Sequence, residues 1–274
     1  MQFFSVLMSV YKNEKLCNLQ KAVESILNQT VLPNEIVIVK DGPLNEDIKI
    51  YLEELSVKYN FIKLINFSKN VGLGLALKAG VLACSNELIA RMDTDDIAKY
   101  DRFEKQIKFL NSNPHISLLG GAIEEFKVNE KEIMSRTILP LEHEEIKNFA
   151  KRRNPFRHMT VIFKKTAVIE SGNYRDFLWF EDYDLWIRMM HKGYKVANLS
   201  DILVSVRADD NMFARRGGLK YLRQDIKFQK QLLNLNIINY KQFLMNFTIR
   251  SIIRCCPNIV RIKFYKVFLR GKVK

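Results

Sequence analysis

The segment Arg91-Met92-Asp93-Thr94-Asp95-Asp96 places three carboxylates within four residues, directly after the apolar run Leu88-Ile89-Ala90. Gathering that much negative charge is costly unless a cation offsets it. Hard carboxylate oxygens suit Mg2+ or Mn2+, which take one or two protein carboxylates and complete their shell with water and substrate phosphates. The plain alternative is a solvated acidic turn or a helix cap at Asp95 or Asp96. Two features favour chemistry: the buried strand immediately upstream, and a second strand-end acid, Asp41, closing the run IVIVKDG. An ionised Asp is a pure acceptor, so Asp41 suits the donor groups of a base or a ribose, although Asp before Gly also makes ordinary turns. A third acid, Asp182, lies in FEDYDLWIRM near the start of a helical pattern, where a carboxylate is electrostatically favoured.

These residues need elements to position them, and the first half of the chain supplies a regular series. Phe3 to Val10 is an apolar run interrupted only by serines, as in a buried strand. Leu19, Ala22, Val23, Ile26 and Leu27 then recur at helical spacing. Glu35 to Lys40 forms a second strand closed by Asp41, Gly42 and Pro43. Ile48, Tyr51, Leu52 and Leu55 mark a second helix, Ile62 to Phe67 a third strand, Gly72 to Ala83 a third helix, and Leu88 to Met92 a fourth strand. Alternation of this kind predicts an α/β fold with a mainly parallel central sheet flanked by helices. Ligands of open α/β sheets bind outside the carboxyl ends of the strands, so Asp41 and the acidic cluster should face one crevice. The second half is less regular, with a helix over Arg102 to Leu110, a strand over Ile116 to Leu119, and mixed short segments to about Phe163. Tyr183, Trp186, Ile187 and Met190 mark a helix over Glu181 to His191, and the chain reads as helical beyond Gly217 with a break at Pro257.

SVLMSVYKNE at the N-terminus, the strand-end Asp41, the MDTDD cluster and FEDYDLWIRM together resemble the family 2 glycosyltransferases with the GT-A fold, especially bacterial enzymes that build surface polysaccharides. The resemblance covers residues 4 to 220 in the order expected. It implies a catalytic domain over 1–220, with a nucleotide-sugar half (1–100) and an acceptor-side half (101–220). It also implies that the backbone around Ser9, Val10 and Tyr11, together with Asp41, holds the nucleoside, most often uridine. Asp93 and Asp95 match the family's D-x-D pair at ribose and metal, and Asp96 competes with Asp95 as the metal ligand. Glu181-Asp182 matches the E-D motif, whose Asp is the catalytic base in an inverting displacement. Arg207, Arg215 and Arg216, in VRADDNMFARRGG, would neutralise the leaving diphosphate from a loop hinged at Gly217 and Gly218, or else form a solvated basic loop. That segment departs from the Q-x-x-R-W sequence of processive members. Trp179 and Phe180 offer a platform for an acceptor sugar, with core packing as the alternative. His158, in NPFRHMT, is a candidate for the acceptor side or a structural histidine.

The net charge of +14 is concentrated in the tail: from Ile226 to Lys274 there is no Asp or Glu. Lys and Arg alternate there with Phe, Leu and Ile, which suits an amphipathic helical extension (221–274) resting on an anionic membrane surface near a lipid-linked or oligosaccharide acceptor. Packing on the catalytic domain is the alternative for its apolar half. A nucleic-acid-binding protein would instead spread its basic residues over a face, and an acidic cluster would repel phosphates, so no nucleic-acid partner is expected. The sequence Gly72-Leu73-Gly74 lacks the third glycine of a dinucleotide fingerprint and follows the third strand instead of the first. A phosphatase built on Asp93 and Asp95 would leave Asp41 and Asp182 without a task. The cysteines Cys17, Cys84, Cys255 and Cys256 form no metal pattern, and no apolar run approaches a membrane span. The expectation is a cytoplasmic enzyme on the inner face of the plasma membrane, with free thiols.

Overall fold

The computed structural model describes residues 2–208 and 217–256 of the chain; Arg215, Arg216 and the basic tail from Pro257 onward lie outside the described residues. Strands Phe4–Val10 (β1), Glu35–Lys40 (β2), Ile62–Asn66 (β3) and Leu88–Arg91 (β4) pair in parallel in the order β3-β2-β1-β4. Helices Leu16–Leu27 (α1), Glu46–Lys58 (α2) and Leu73–Ala83 (α3) connect them. Leu19, Ala22, Val23 and Ile26 of α1 are fully buried, which accounts for their spacing. On the opposite face, α3 lies so close to the sheet that a Cβ on Gly80 would come within 2.3 Å of Leu7 Cδ1. Only glycine lets the helix seat at that depth.

The second half comprises Ile97–Ala98 (β5), Arg102–Ser112 (α4), Ile116–Phe126 (β6), Ile133–Thr137 (β7), His143–Ala150 (α5), a 3-10 turn at His158–Thr160, Ile162–Lys164 (β8), Lys165–Glu170 (α6), Glu181–His191 (α7), Lys195–Arg207 (β9), Leu219–Asn234 (α8) and Tyr240–Cys255 (α9). The sheet continues β4-β8-β6-β9-β5, with β7 on β6. Here β8 is antiparallel to both β4 and β6, β5 to β9 and β7 to β6, while β6 and β9 are parallel. The expected parallel sheet is therefore the N-terminal half, and the second half is mixed. The strand expected at Ile116 runs on to Phe126.

The sheet separates two apolar clusters, one under α1, α2 and α4 and the other under α3 and α7. Tyr221, Phe228 and Leu232 of α8 belong to the second cluster, so the described part of the C-terminal extension shares the core of the catalytic fold. Phe228 is fully buried, with ring centroids 4.4 Å from Tyr183, 5.0 Å from Phe180 and 5.9 Å from Phe177. These three rings flank the start of α7, so the extension braces the helix that carries Asp182. Phe228→Ala is expected to cost about 3–5 kcal/mol in chemical denaturation; a loss below about 1 kcal/mol would mean that α8 is merely apposed. Among the described residues, no helix is long and apolar enough to cross a membrane.

Candidate active site

The acidic cluster sits where the parallel strands end. Arg91, the last residue of β4, is buried and ion-pairs with Asp93. Asp93 Oδ2 also lies 2.8 Å from His158 Nε2. Burial opposes ionisation of Asp93, yet the positive charges of Arg91 and His158 prevail and hold its carboxyl well below the usual range. His158 is correspondingly raised: burial works against its charged form, and Asp93 more than compensates. A buried network fixes this arrangement. Arg102 Nη2 donates to the Arg91 carbonyl at 2.8 Å and its Nε to Gln106 Oε1 at 3.1 Å, while Gln106 Nε2 donates to the Thr160 carbonyl at 2.8 Å. Helix α4 thus ties the strand end to the 3-10 turn that presents His158.

Asp95 and Asp96 are in a different electrostatic state. One carboxylate oxygen from each of Asp93, Asp95 and Asp96 can be chosen so that all three lie within 4.8 Å of one another. Asp95 is pushed up to about 6, first by burial and then by the charges of Asp93 and Glu14. Asp96, 2 % exposed, is also raised well above its ordinary value, by burial and then by the charges of Asp95 and Asp93. Its Oδ1 accepts the Arg207 N–H at 2.9 Å. Arg91 opposes these shifts, but burial and the neighbouring carboxylates outweigh it. Two or three oxygens at this spacing fit a hard divalent cation.

Asp41 is 4 % exposed, and its carboxylate accepts from Val71 N at 2.7 Å, Asn70 Nδ2 at 2.9 Å and Gly72 N at 3.2 Å. Its observed task is to clasp the turn that opens α3. Gly42 makes this possible, because at φ +89° a Cβ there would lie 2.5 Å from Asn70 N. Asp41 N in turn donates to the Val10 carbonyl at 2.8 Å. The ends of β1 and β2, with Ser9, Val10 and Tyr11, therefore lie side by side, as the parallel pairing requires. Val10 is buried and Tyr11 exposed.

At the end of β4 opens a cavity of about 730 Å3, lined by Asp93, Asp95, Asp96, His158, Trp179, Glu181, Asp182 and Arg207 among others, while Ser9, Val10, Tyr11 and Asp41 are not among its lining residues. Asp182 Oδ2 accepts from Asn154 Nδ2 at 2.8 Å and its Oδ1 from Tyr183 N at 2.7 Å. Two donors thus orient the carboxylate within the first turn of α7. Glu181 is pushed up to about 7, first by burial and then by the charge of Asp182. Its Oε2 is buried with no hydrogen-bond partner. Trp179, at φ 68°, stacks on Tyr221 at 4.8 Å, which covers one face of its ring. Phe180 is a core residue, 4 % exposed. Arg207 closes β9, with its guanidinium over the Phe126 ring at 4.8 Å and its Nε donating to the Asp95 carbonyl at 3.4 Å.

Sequence reasoning missed Asn154, which orients Asp182, and the arginines Arg152, Arg153, Arg157, Arg250 and Arg254, which line another part of the same cavity. The run KRRNPFRH carried the signal for the first three.

A strand-end acidic cluster and a helix-borne carboxylate sharing one cavity, on a sheet that is parallel in its N-terminal half and mixed beyond, define a glycosyltransferase of the GT-A type. The chain belongs to glycosyl transferase family 2, whose description matches residues 5–177. It is 41% identical over 254 residues, 93% of this chain and 94% of the relative, to the amylovoran biosynthesis glycosyltransferase AmsE of Erwinia amylovora. It is 34% identical over 269 residues, 97% and 96% of the two chains, to the UDP-Gal:alpha-D-GlcNAc-diphosphoundecaprenol beta-1,3-galactosyltransferase of Escherichia coli. Its fold is similar to that of S. aureus TarS in complex with UDP-GlcNAc, with a TM-score of 0.69 at 15% identity over 98% of this chain and 76% of that one.

Proposed function

We propose that the protein transfers a hexose or N-acetylhexosamine from a UDP-linked donor to a lipid-linked acceptor during assembly of a surface glycan, by a single displacement that inverts the anomeric centre. The observation that carries this reading is that Asp182 and the Asp93–Asp96 cluster line one cavity, of a size that suits a nucleotide sugar and the end of an acceptor. The polysaccharide names of the relatives, and the UDP-Gal donor and diphosphoundecaprenol acceptor in one of them, support the substrate classes.

Asp182 removes the proton of the attacking acceptor hydroxyl as the new glycosidic bond forms and the bond from the anomeric carbon to the diphosphate oxygen breaks. Asn154 and Tyr183 N hold its carboxylate in place for that transfer. Glu181 carries a proton over much of the neutral range, which reduces repulsion beside Asp182. Asp95 and Asp96 would hold Mg2+ or Mn2+, and such an ion supplies charge neutralisation for the departing diphosphate when bound. Arg207, Arg215 and Arg216 supplement that positive charge. Ser9, Val10, Tyr11 and Asp93 form the nucleoside side of the site. Asp41 contributes as well, because three N–H donors leave about one of its roughly four acceptor positions open. Trp179 borders the acceptor. The basic tail beyond Cys256 rests on an anionic membrane surface, which places the enzyme on the inner face of the plasma membrane.

Calorimetric titration with UDP, with and without Mn2+, tests the donor half without requiring the acceptor. Mn2+-dependent binding is expected. Absence of binding in both conditions, with GDP and dTDP also failing, would refute the nucleotide-sugar reading.

A further inference from the structure

The cavity lining carries two sets of opposite charge, Asp93, Asp95 and Asp96 on one hand and Arg152, Arg153, Arg157, Arg250 and Arg254 on the other. In the reading above, Asp95 and Asp96 would serve the donor's diphosphate through a metal ion, which leaves the arginines without a part in it. We propose that these arginines bind the diphosphate of the acceptor, and that the face of α9 beside them takes the first part of the acceptor's lipid chain. This rests on the lipid-linked acceptor reading above and adds to it a site and a chemical class, an isoprenoid or other lipid diphosphate.

The site is built across two elements. Arg250 Nη2 donates to the Arg152 carbonyl at 2.6 Å, and Asn246 Nδ2 to the Lys151 carbonyl at 2.9 Å, which pins α9 against the segment after α5. Asp225, 1 % exposed, accepts from Arg250 Nη1 at 2.6 Å and from Arg254 Nε at 3.2 Å. One carboxylate thus sets the positions of two guanidinium groups. Arg152 and Arg153 add exposed positive charge from the facing segment. Guanidinium forks suit phosphate oxygens in paired hydrogen bonds, so a cluster of them matches a diphosphate better than a single carboxylate.

Two further observations point to a lipid-linked diphosphate and away from a free one. Met245 and Ile249, one helical turn apart on α9, line the same cavity and are 42% and 50% exposed. Apolar surface left open beside a cationic cluster suits a ligand with an anionic head and an apolar chain. The spacing along the chain also agrees. Asn154, which holds Asp182, is two residues from Arg152, so the two positions are at most about 7 Å apart along the backbone. An acceptor sugar whose hydroxyl meets Asp182 would therefore present its glycosidic diphosphate to the arginines about one ring away.

The test uses the full chain in EDTA, which removes metal-dependent donor binding, and titrates it with farnesyl diphosphate, farnesyl monophosphate and inorganic pyrophosphate. Farnesyl diphosphate is expected to bind at least about tenfold more tightly than either of the others. The double variant Arg152→Glu, Arg153→Glu, altered at two exposed positions, should weaken farnesyl diphosphate binding by about tenfold or more, while Mn2+-dependent UDP binding is retained and reports intact folding. Met245→Gln with Ile249→Gln should reduce the preference for farnesyl diphosphate over pyrophosphate. Equal affinity for pyrophosphate and farnesyl diphosphate would overturn the lipid assignment. Unchanged farnesyl diphosphate binding in the arginine variant would overturn the site. Either result alongside intact Mn2+-dependent UDP binding refutes this inference alone, whereas loss of UDP binding in the unaltered chain refutes the donor reading beneath it.

Discussion

Asp182→Asn is expected to abolish transfer, lowering the turnover rate by about 100-fold to 10,000-fold, the range supplied by a positioned general base. The substitution keeps shape and volume and removes the ability to take a proton. Asn154 Nδ2 and Tyr183 N both donate to the native carboxylate. An asparagine offers one acceptor oxygen, so one of these bonds is lost at a cost of about 1 kcal/mol, too little to unfold a chain of this size. UDP affinity with Mn2+ should stay within about twofold of the parent, because the change falls on the transition state and not on donor binding. Asn154→Ala should act in the same direction more weakly, since it leaves the base but frees its orientation. Glu181→Gln separates the two acids: its carboxyl is already protonated for much of the neutral range, so the amide should preserve a substantial part of the activity. An Asp182→Asn enzyme with normal turnover would refute the base assignment, and loss of activity confined to Glu181→Gln would transfer the role to its neighbour.

The N-terminal half of the molecule is largely legible because its strands are buried on both faces and its helices on one, so apolar spacing reports burial directly. β1, β2, β3, β4 and the helices between them lie where alternation and periodicity place them. β9 was missed for a physical reason. Its sequence KVANLSDILVSVR interrupts the apolar pattern with Asn198, Ser200 and Asp201, and its pairing with β6 shifts register between Gly121 and Ala122 and again between Ala122 and Ile123. Irregular register removes the strict alternation by which a strand is recognised. β6 was read short because Glu124 and Glu125 follow its glycines, and both are buried: Glu124 through Lys99 and Ser205, Glu125 through Ser135. In the site, residue types carried the acids, but not their partners. Nothing in the spacing announces that Asn154 meets Asp182, that His158 meets Asp93, or that α9 returns to place Arg250 beside Arg152. Those are contacts between segments distant in sequence. Asp41 shows the converse, a residue type that suggests ligand binding while its observed bonds clasp a turn.

Replacing both Asp95 and Asp96 by Asn should remove the effect of metal on donor affinity, on melting temperature and on its dependence on pH. In the metal-free protein Asp95 is pushed up to about 6 and Asp96 is raised well above its ordinary value, each by burial and by neighbouring carboxylates. Both folded-state values exceed the ordinary unfolded value of about 4. The contribution of these groups to stability is therefore fully present below about pH 4 and is lost as pH rises through about 6 and above. Glu181, at about 7, acts in the same direction, while Asp93 acts oppositely and only in the acid range below its unfolded value. The metal-free enzyme should accordingly melt at a higher temperature at pH 5.5 than at pH 8, conditions chosen at about the two sides of this window. Mn2+ competes with protons for the same oxygens, so it should raise the melting temperature strongly at pH 8 and weakly at pH 5.5. In the double Asn variant the Mn2+ response should vanish at both pH values, and the residual pH dependence should be that of Glu181 and His158, both raised, opposed by the lowered His143. Metal-dependent UDP affinity should fall by at least about 10-fold to 100-fold, since loss of an outer partner alone costs that much at metal sites. The single variants then assign the ligand: the one that loses more of the Mn2+ response at pH 8 carries the principal metal-binding carboxylate. Asp96, already fixed by the Arg207 N–H, is the more preorganised of the two and is expected to be that one. A double variant that keeps the full Mn2+ response would place the metal away from this cluster.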